Sequence, residues 1–330
     1  MLGLACHPRF PLFYIWQDIE PAPEGMTIDP ATSAEFDHLL VYSLEEAQPK
    51  LLLATARGAD FGCGNAQGGF ALNAAVPRLY VPNMQQPDRA KKMVSAIGWF
   101  VLDPDGLPAF AKPNAKPDDI ASAPVPAATL DPPAAAAARA AKLALLEQAK
   151  AAGQPLVLRK TAEVTITFAY PPAPYCYAPI DDDAVLLAGH SGPVSWVLSD
   201  RLGRYCYFYV PPYVPYRYRI AVHPGAPAAY MTTLAYDGRI VRMEHADGYF
   251  TLVPQTISLD NIVVYSQGLV LAKRNQLAVG ANGRICLIDL DERGRFKPQA
   301  VQMTVNNPTV DTITWSDRFE KLYVPVEKMP

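Results

Sequence analysis

The sequence is poor in the features that usually announce chemistry. Its 330 residues hold five cysteines and five histidines. Cys6, Cys63, Cys176, Cys206 and Cys286 are far apart and odd in number. No Cys-x-x-Cys pair exists, which excludes a zinc knuckle and a dithiol redox motif. Neither sign of charge dominates: 29 basic against 32 acidic residues leave a net charge of −3. The densest basic runs, at Arg89–Lys92 and Arg293–Lys297, are short and read as solvated turns, so nucleic acid is excluded as a partner. No apolar run reaches the length of a membrane span. The first residues lack a basic leader region, and His7 and Pro8 interrupt their apolar stretch. These absences point to a soluble cytoplasmic protein with no membrane partner. The chain also opens directly on a strand and closes just after one, as an excised portion of a longer protein would.

What is present is a recurring frame of apolar strands. Half of the residues are hydrophobic, enough for a sizeable core. The best copy runs from Arg219 to Glu244: a short apolar strand, a Pro/Gly turn at His223-Pro-Gly225, a second strand through Tyr230, and a third, Arg239-Ile-Val-Arg-Met-Glu244. The frame recurs at Leu4–Pro8 with Leu12–Trp16 and His38–Ser43, and at Phe70–Asn73 with Arg78–Pro82 and Gly98–Asp103. Further copies are Trp196–Asp200 with Tyr205–Val210, Leu269–Ala272 with Gln276–Gly280, and Ile313–Asp317 with Lys321–Pro325. Starts at 220, 269 and 313 lie 49 and 44 residues apart, within the roughly 40–50 residues of a propeller blade. The 24-residue step from 196 to 220 is too short for a blade, so one of those two copies is out of phase. One such sheet leaves an apolar face open, and radial stacking closes it. The predicted fold is all-β: a single β-propeller domain over residues 1–330, of about six or seven blades.

Leu79-Tyr-Val-Pro-Asn-Met84, Val101-Leu-Asp-Pro-Asp-Gly106, Ala221-Val-His-Pro224 and Ala229-Tyr230 resemble blades of the YVTN/lactonase-like propeller family. The likeness covers most of the chain outside 111–160. It departs from the family pattern at Asn73-Ala74 and Ala272-Lys273, where the usual turn is replaced. The resemblance implies a propeller scaffold with a polar site at the mouth of its channel.

Residues 111–153 interrupt the repeat. The Pro/Ala/Asp-rich stretch 111–132 reads as a linker. Asp131-Pro132-Pro133 then starts a helix: Pro133 suits the first helical position, and Asp131 sets a negative charge at the positive end of the dipole. Ala134–Ala152 is rich in helix formers, and Gly153 supplies the stop. Leu143, Leu145 and Leu146 give only a narrow apolar strip, so a surface helix over about 133–152 with few core contacts is expected. Val164–Phe168 alternates as a strand. Tyr/Pro clusters at 170–179 and 209–218 either line a ligand groove or protect edge strands.

Candidate site residues follow from the propeller expectation, because connections leading into the innermost strands converge on the channel. Asn65 and Gln67 precede Phe70, His190 and Ser195 lie before Val197, Arg217 and Arg219 precede Ala221, Gln267 precedes Leu269, and Asn307 and Asp311 precede Ile313. His190, Arg219 and Asp311 are the catalytic candidates: an imidazole to move a proton, a guanidinium to hold developing negative charge, and a carboxylate. Asn65, Gln67, Ser195, Arg217, Gln267 and Asn307 are the substrate-binding candidates. His7 and His223 fill one slot in two copies, which argues for a turn role. The Gly-rich stretch 57–69 lacks the spacing of a phosphate loop, and Cys63 within it reads as a loop thiol. Some propeller hydrolases of the resembling kind hold a divalent cation with Glu, Asn and Asp; Asn65, Asn307 and Asp311 imitate that set without its first acidic member. No metal and no cofactor is therefore assigned. Two readings stay open: a lactonase-like hydrolase or isomerase acting on a small lactone or carboxylic acid, and a non-catalytic propeller scaffold that binds a protein or a small ligand.

Overall fold

The computed structural model describes residues 2–7, 9–17, 38–46, 48–56, 71–73, 78–85, 94–112, 130–154, 156–158, 160–167, 174–179, 184–189, 194–199, 204–209, 218–233, 239–246, 249–258, 269–281, 283–304, 313–316 and 318–324. The chain forms two compact units, Met1–Pro171 and Pro172–Pro330.

In the first unit, β1 (Leu2–Cys6), β2 (Leu12–Gln17), β3 (His38–Ser43) and β4 (Lys50–Ala56) form an antiparallel meander in sequence order. The second sheet begins with β5 (Ala71–Asn73), β6 (Arg78–Gln85) and β7 (Val94–Val101). The chain then leaves the sheet through β8 (Phe110–Ala111), helix α1 (Pro132–Ala151) and β9 (Val157–Leu158), and returns as the fourth strand, β10 (Lys160–Thr167). The helical insertion thus falls between the third and fourth strands of one sheet. Pro82 lies within a central strand yet breaks no ladder, because β5 pairs only with Arg78–Tyr80 and leaves that part of β6 without a neighbour on one side.

The second unit holds three four-stranded meanders: β11 (Pro174–Pro179) to β12 (Ala184–Gly189), β13 (Val194–Ser199) and β14 (Arg204–Tyr209); β15 (Tyr218–Val222) to β16 (Ala228–Thr233), β17 (Arg239–Ala246) and β18 (Tyr249–Ser258); and β19 (Leu269–Leu271) to β20 (Gln276–Ala281), β21 (Arg284–Leu290) and β22 (Phe296–Thr304). A hairpin of β23 (Thr314–Ser316) and β24 (Lys321–Tyr323) follows. First strands start at 174, 218, 269 and 314, close to the spacing expected of a repeat. Within this unit β11 lies beside β15, β15 beside β19, and β19 beside β23. In the first unit β1 lies beside β5 in the same way. Within each unit, successive sheets therefore stack with their first strands adjacent.

Stacking explains the core. Tyr14, Leu12, Leu39 and Val41 of the first sheet meet Leu79 of the second and Leu102 and Leu107 of the turn that follows β7. Ala221, Tyr230 and Ile240 meet Leu277, Val279, Ile288 and Leu290. On its other face the third meander of this unit packs Leu271, Ala278 and Ile285 on Ile313. A sheet covered on both faces needs apolar residues at successive positions, and five of the six residues of β20 are buried.

The sequence placed Trp196–Asp200 and Tyr205–Val210 as first and second strands. They are instead β13 and β14, the third and fourth strands of their sheet. Period-two alternation marks a half-buried strand without saying which place it takes in the sheet. The true first strand, β11, was obscured by its prolines, Pro174 and Pro179 at its two ends. An edge position tolerates them because it leaves one side of the ladder unused.

The helix runs within a residue of its expected bounds. Asp131 is the N-cap, its carboxylate accepting from the Ala134 amide at 2.8 Å. Gly153 follows the last turn at φ +70°, the left-handed region that a helix terminator needs. Packing is closer than the narrow apolar strip implied. Ala135 is fully buried, Arg139 is buried, and Leu143 and Leu146 rest against the core of the first unit.

Candidate functional site

Among the sequence-derived candidates, Arg219 is the second residue of β15, opposite Thr232. Ser195 is the second residue of β13, opposite Ala188 and Phe208. Asn65, Gln67, His190, Arg217, Gln267, Asn307 and Asp311 lie outside the described residues. Neither Ser195 nor His190 belongs to the entry of an innermost strand, as the sequence pattern suggests; His190 precedes β13, the third strand of its sheet, and Ser195 lies within it. Strand alternation keeps this position relevant. In a four-stranded antiparallel meander the start of the first strand, the connection between the second and third, and the end of the fourth all fall at one end. The β12–β13 connection thus shares an end of its sheet with the point where the chain departs β14 for β15.

The polar groups that the described residues bring together lie at the other end, on the connections between first and second and between third and fourth strands. They form two clusters of one design. The loop His7-Pro8-Arg9-Phe10-Pro11 joins β1 to β2, and His223-Pro224-Gly225-Ala226-Pro227 joins β15 to β16. Each closes with the same backbone pair: the His7 amide donates to Leu12 and the Leu12 amide to Phe10, as the His223 amide does to Ala228 and the Ala228 amide to Ala226. The imidazole completes the turn. Nδ1 of His7 accepts from the Arg9 and Phe10 amides at 3.1 and 3.0 Å, and Nδ1 of His223 from the Gly225 amide at 3.1 Å. This is the turn role that recurrence predicted.

Two strand residues further on, a tyrosine reaches the next sheet. Tyr14 Oη donates to the Gly106 carbonyl at 2.5 Å, and Tyr230 Oη to the Gly294 carbonyl at 2.7 Å. Both glycines end an Asp-x-x-Gly turn between third and fourth strands, Asp103–Gly106 and Asp291–Gly294, with the glycine amide bonded back to the aspartate carbonyl. Both have positive φ, +84° and +69°. A Cβ on Gly106 would meet Leu12 Cδ1 at 2.7 Å and Phe10 Cδ2 at 2.9 Å; one on Gly294 would meet Tyr230 Oη at 2.5 Å and Ala228 Cβ at 2.9 Å. Only glycine fits either the backbone or the space.

An arginine finishes each cluster, from a different source. In the second unit it is Arg242 of β17, the cross-strand partner of Tyr230, whose Nε donates to Gly294 and Nη2 to the Arg293 carbonyl. In the first unit the partner of Tyr14 is Val41, which has nothing to donate. Arg139 of α1 takes the place, its Nη1 donating to the Asp105 carbonyl at 2.9 Å while its guanidinium covers the Phe10 ring at 5.3 Å. Lys142, one turn on, reaches Asp103 at 2.6 Å and Asp105 at 3.0 Å. The helix therefore supplies by insertion what β17 supplies by strand.

The electrostatics suit structure rather than proton transfer. Burial, with Arg139 and Arg9 nearby, lowers the His7 pKa to about 4. Burial and then Arg242 lower that of His223. Burial pushes both the Tyr14 and Tyr230 hydroxyls upward, so they stay protonated donors. Backbone hydrogen bonds from Arg295 and Arg293 hold Asp291 ionised. The recurring His-Pro was legible in the sequence; the Asp-x-x-Gly spacing at 103–106 and 291–294, a signal that the sequence analysis did not single out, and its pairing with the histidine loops were not. Among the described residues no cluster of His, Cys, Asp or Glu could hold a metal ion, and no helix is long and apolar enough to cross a membrane.

No protein-family model matches the sequence. A search of curated proteins finds no match. Solved structures do resemble it. The periplasmic gluconolactonase PpgL of Pseudomonas aeruginosa superposes with a TM-score of 0.54 at 12% identity, over 98% of this chain and 77% of that one. A chain of the nidogen/laminin complex gives a TM-score of 0.50 at 13% identity, over 88% of this chain and 82% of that one. At such identities the likeness is one of fold, and it agrees with the antiparallel sheets and the single described α-helix: the scaffold is β-propeller-like.

Proposed function

We propose that the chain is a lactonase-like propeller hydrolase or isomerase acting on a small lactone or carboxylic acid, with its site at the sheet end where first strands begin and where second strands connect to third strands. The observation that carries this reading is the alternation of the meanders. It gives the β12–β13 connection, which contains His190, the same end of its sheet as the departure toward Arg217 and Arg219. The polar residues at the opposite end are engaged in the two structural clusters and leave the chemistry to this one. The likeness to a gluconolactonase scaffold supports the substrate class. In the hydrolytic form, His190 takes a proton from water as the water oxygen bonds to the lactone carbonyl carbon. Arg219 stabilises the resulting oxyanion, the ring C–O bond then breaks, and the ring oxygen takes back the proton held by His190 to leave as the hydroxyl of a hydroxy acid. Asp311 is the third catalytic group. Ser195, Arg217, Gln267 and Asn307 hold the substrate, with Asn65 and Gln67 at the matching position of the first unit.

Hydrolysis of a lactone panel, with and without chelator, tests the reading. Arg219→Lys should lower turnover by ~10²–10³, because a point charge does not reproduce a planar donor fork. His190→Gln should lower it by roughly 10²–10⁴, with the melting temperature unchanged in both. Full turnover in both variants sinks the assignment. The second reading, a non-catalytic scaffold for a protein or small ligand, is favoured by the structural use of every buried histidine and tyrosine in the two clusters. A folded protein silent on the whole panel selects it.

A further inference from the structure

The two His-Pro-x-x-Pro loops close on an imidazole that works only when neutral. Nδ1 of His7 receives two backbone N–H groups. A proton on that nitrogen would set three hydrogens against one another and remove the acceptor. The His7 ring stacks on Phe10 at 4.7 Å, and the guanidinium of Arg139 lies over the same Phe10 ring, so a charged imidazole would share that ring with a second cation. Around His7 the charged and titratable groups are Cys6 on β1, Arg9 in the loop, Tyr14 on β2, Glu45 after β3, Asp103 and Asp105 in the facing turn, and Arg139 and Lys142 on α1. Asp105 is not free to compensate, since its carboxylate already accepts from the Leu107 amide and from Lys142. Around His223 they are Tyr230 on β16, Arg242 and Glu244 on β17, and Asp291, Arg293 and Arg295 in the facing turn. Glu244 is held by Arg242 at 2.8 Å, and Nε2 of His223 is buried with no hydrogen-bond partner.

We propose that these loops are acid-sensitive latches: proton uptake by the histidine opens the loop, frees the Asp-x-x-Gly turn of the next sheet and, at His7, undocks α1. The chain of contacts makes the consequence local and directional. Opening the loop moves Phe10, the platform under Arg139 and one of the two side chains against Gly106. Arg139 then loses its cover, and with it the helix loses its one buried cation. The sign follows from the depressed value. A histidine that is neutral when closed and ordinary when open contributes its full share above about pH 6.5, and that share is lost as pH falls toward 4.

Hydrogen exchange of the full chain at pH 7.5 and 4.5, corrected for intrinsic rates, tests the latch at His7. Between pH 7.5 and 4.5 the opening constant should rise by about 70-fold, from a pKa of 6.5 in the open loop and about 4 in the closed one. Protection of α1 amides should fall by that order while β3 amides stay protected. His7→Asn supplies a non-titrating oxygen that accepts from the same turn amides, and its α1 should keep its protection at pH 4.5. An equal fall in His7→Asn, no fall in the wild type, or joint loss from α1 and β3 each overturns the proposal. Should His7→Asn not fold, the wild-type His7 ring resonances decide: a titration midpoint below 5 supports the latch, and one near 6.5 overturns it.

Discussion

Gly294 and Gly153 offer a controlled measurement of what the inter-sheet contact contributes. Their backbones are alike, at φ +69° and +70°, so replacement by alanine imposes the same left-handed strain on each, roughly 1–2 kcal/mol. Their surroundings differ. A Cβ at Gly153 has nothing within 4 Å, whereas one at Gly294 would lie 2.5 Å from Tyr230 Oη and 2.9 Å from Ala228 Cβ. The Tyr230 hydroxyl must then withdraw from the Gly294 carbonyl, a loss of about 1 kcal/mol. Fitting the methyl against the buried, rigid Ala228 adds a further ~1–3 kcal/mol. Gly153→Ala should therefore cost about 1–2 kcal/mol and Gly294→Ala about 3–6 kcal/mol. Urea unfolding of both variants, at unchanged m-value, gives the difference directly. Equal destabilisation would falsify the claim that the Asp-x-x-Gly turn is clamped by the preceding sheet.

Arg139→Met keeps an apolar stem over Phe10 but removes the donor to the Asp105 carbonyl. The buried acceptor left behind should cost ~1–3 kcal/mol, read as a lower melting temperature; an unchanged melt would mean that the helix is not tied to the turn. Glu320 holds φ +49° at the turn position where the preceding repeat has Asn275 at +48°. Glu320→Asn should stabilise by about 0.5–1 kcal/mol, since the pair it gives up with Arg274, at 3.6 Å between exposed side chains, is worth little. A lower melting temperature for this variant would show that the pair matters more than the backbone.

Local pattern was enough for the elements themselves. The apolar frames at Leu4–Pro8, Arg219–Glu244 and Ile313–Pro325 announced strands, because short apolar runs bounded by Pro, Gly or Asp turns suit buried strands wherever in the sheet they sit. Asp131-Pro132-Pro133 and Gly153 announced the helix, because capping and termination are settled within a turn of chain. The repeat of His-Pro at two strand ends announced a turn role, and the Nδ1 contacts of His7 and His223 show the reason. Place within a sheet was a different matter. Alternation is the same in a first and a third strand, so Trp196–Asp200 passed for an inner strand, and the prolines of β11 hid the real one. The partnership of Tyr14 with Gly106, 92 residues away, and of Arg139 with the same turn exists only once neighbouring sheets stack. A side chain's partner across that gap is chosen by tertiary packing, which brings a helix arginine to the very position that β17 fills with Arg242. The sequence by itself determined which residues could make strands, turns and a helix; the stacking of sheets decided which of them would meet.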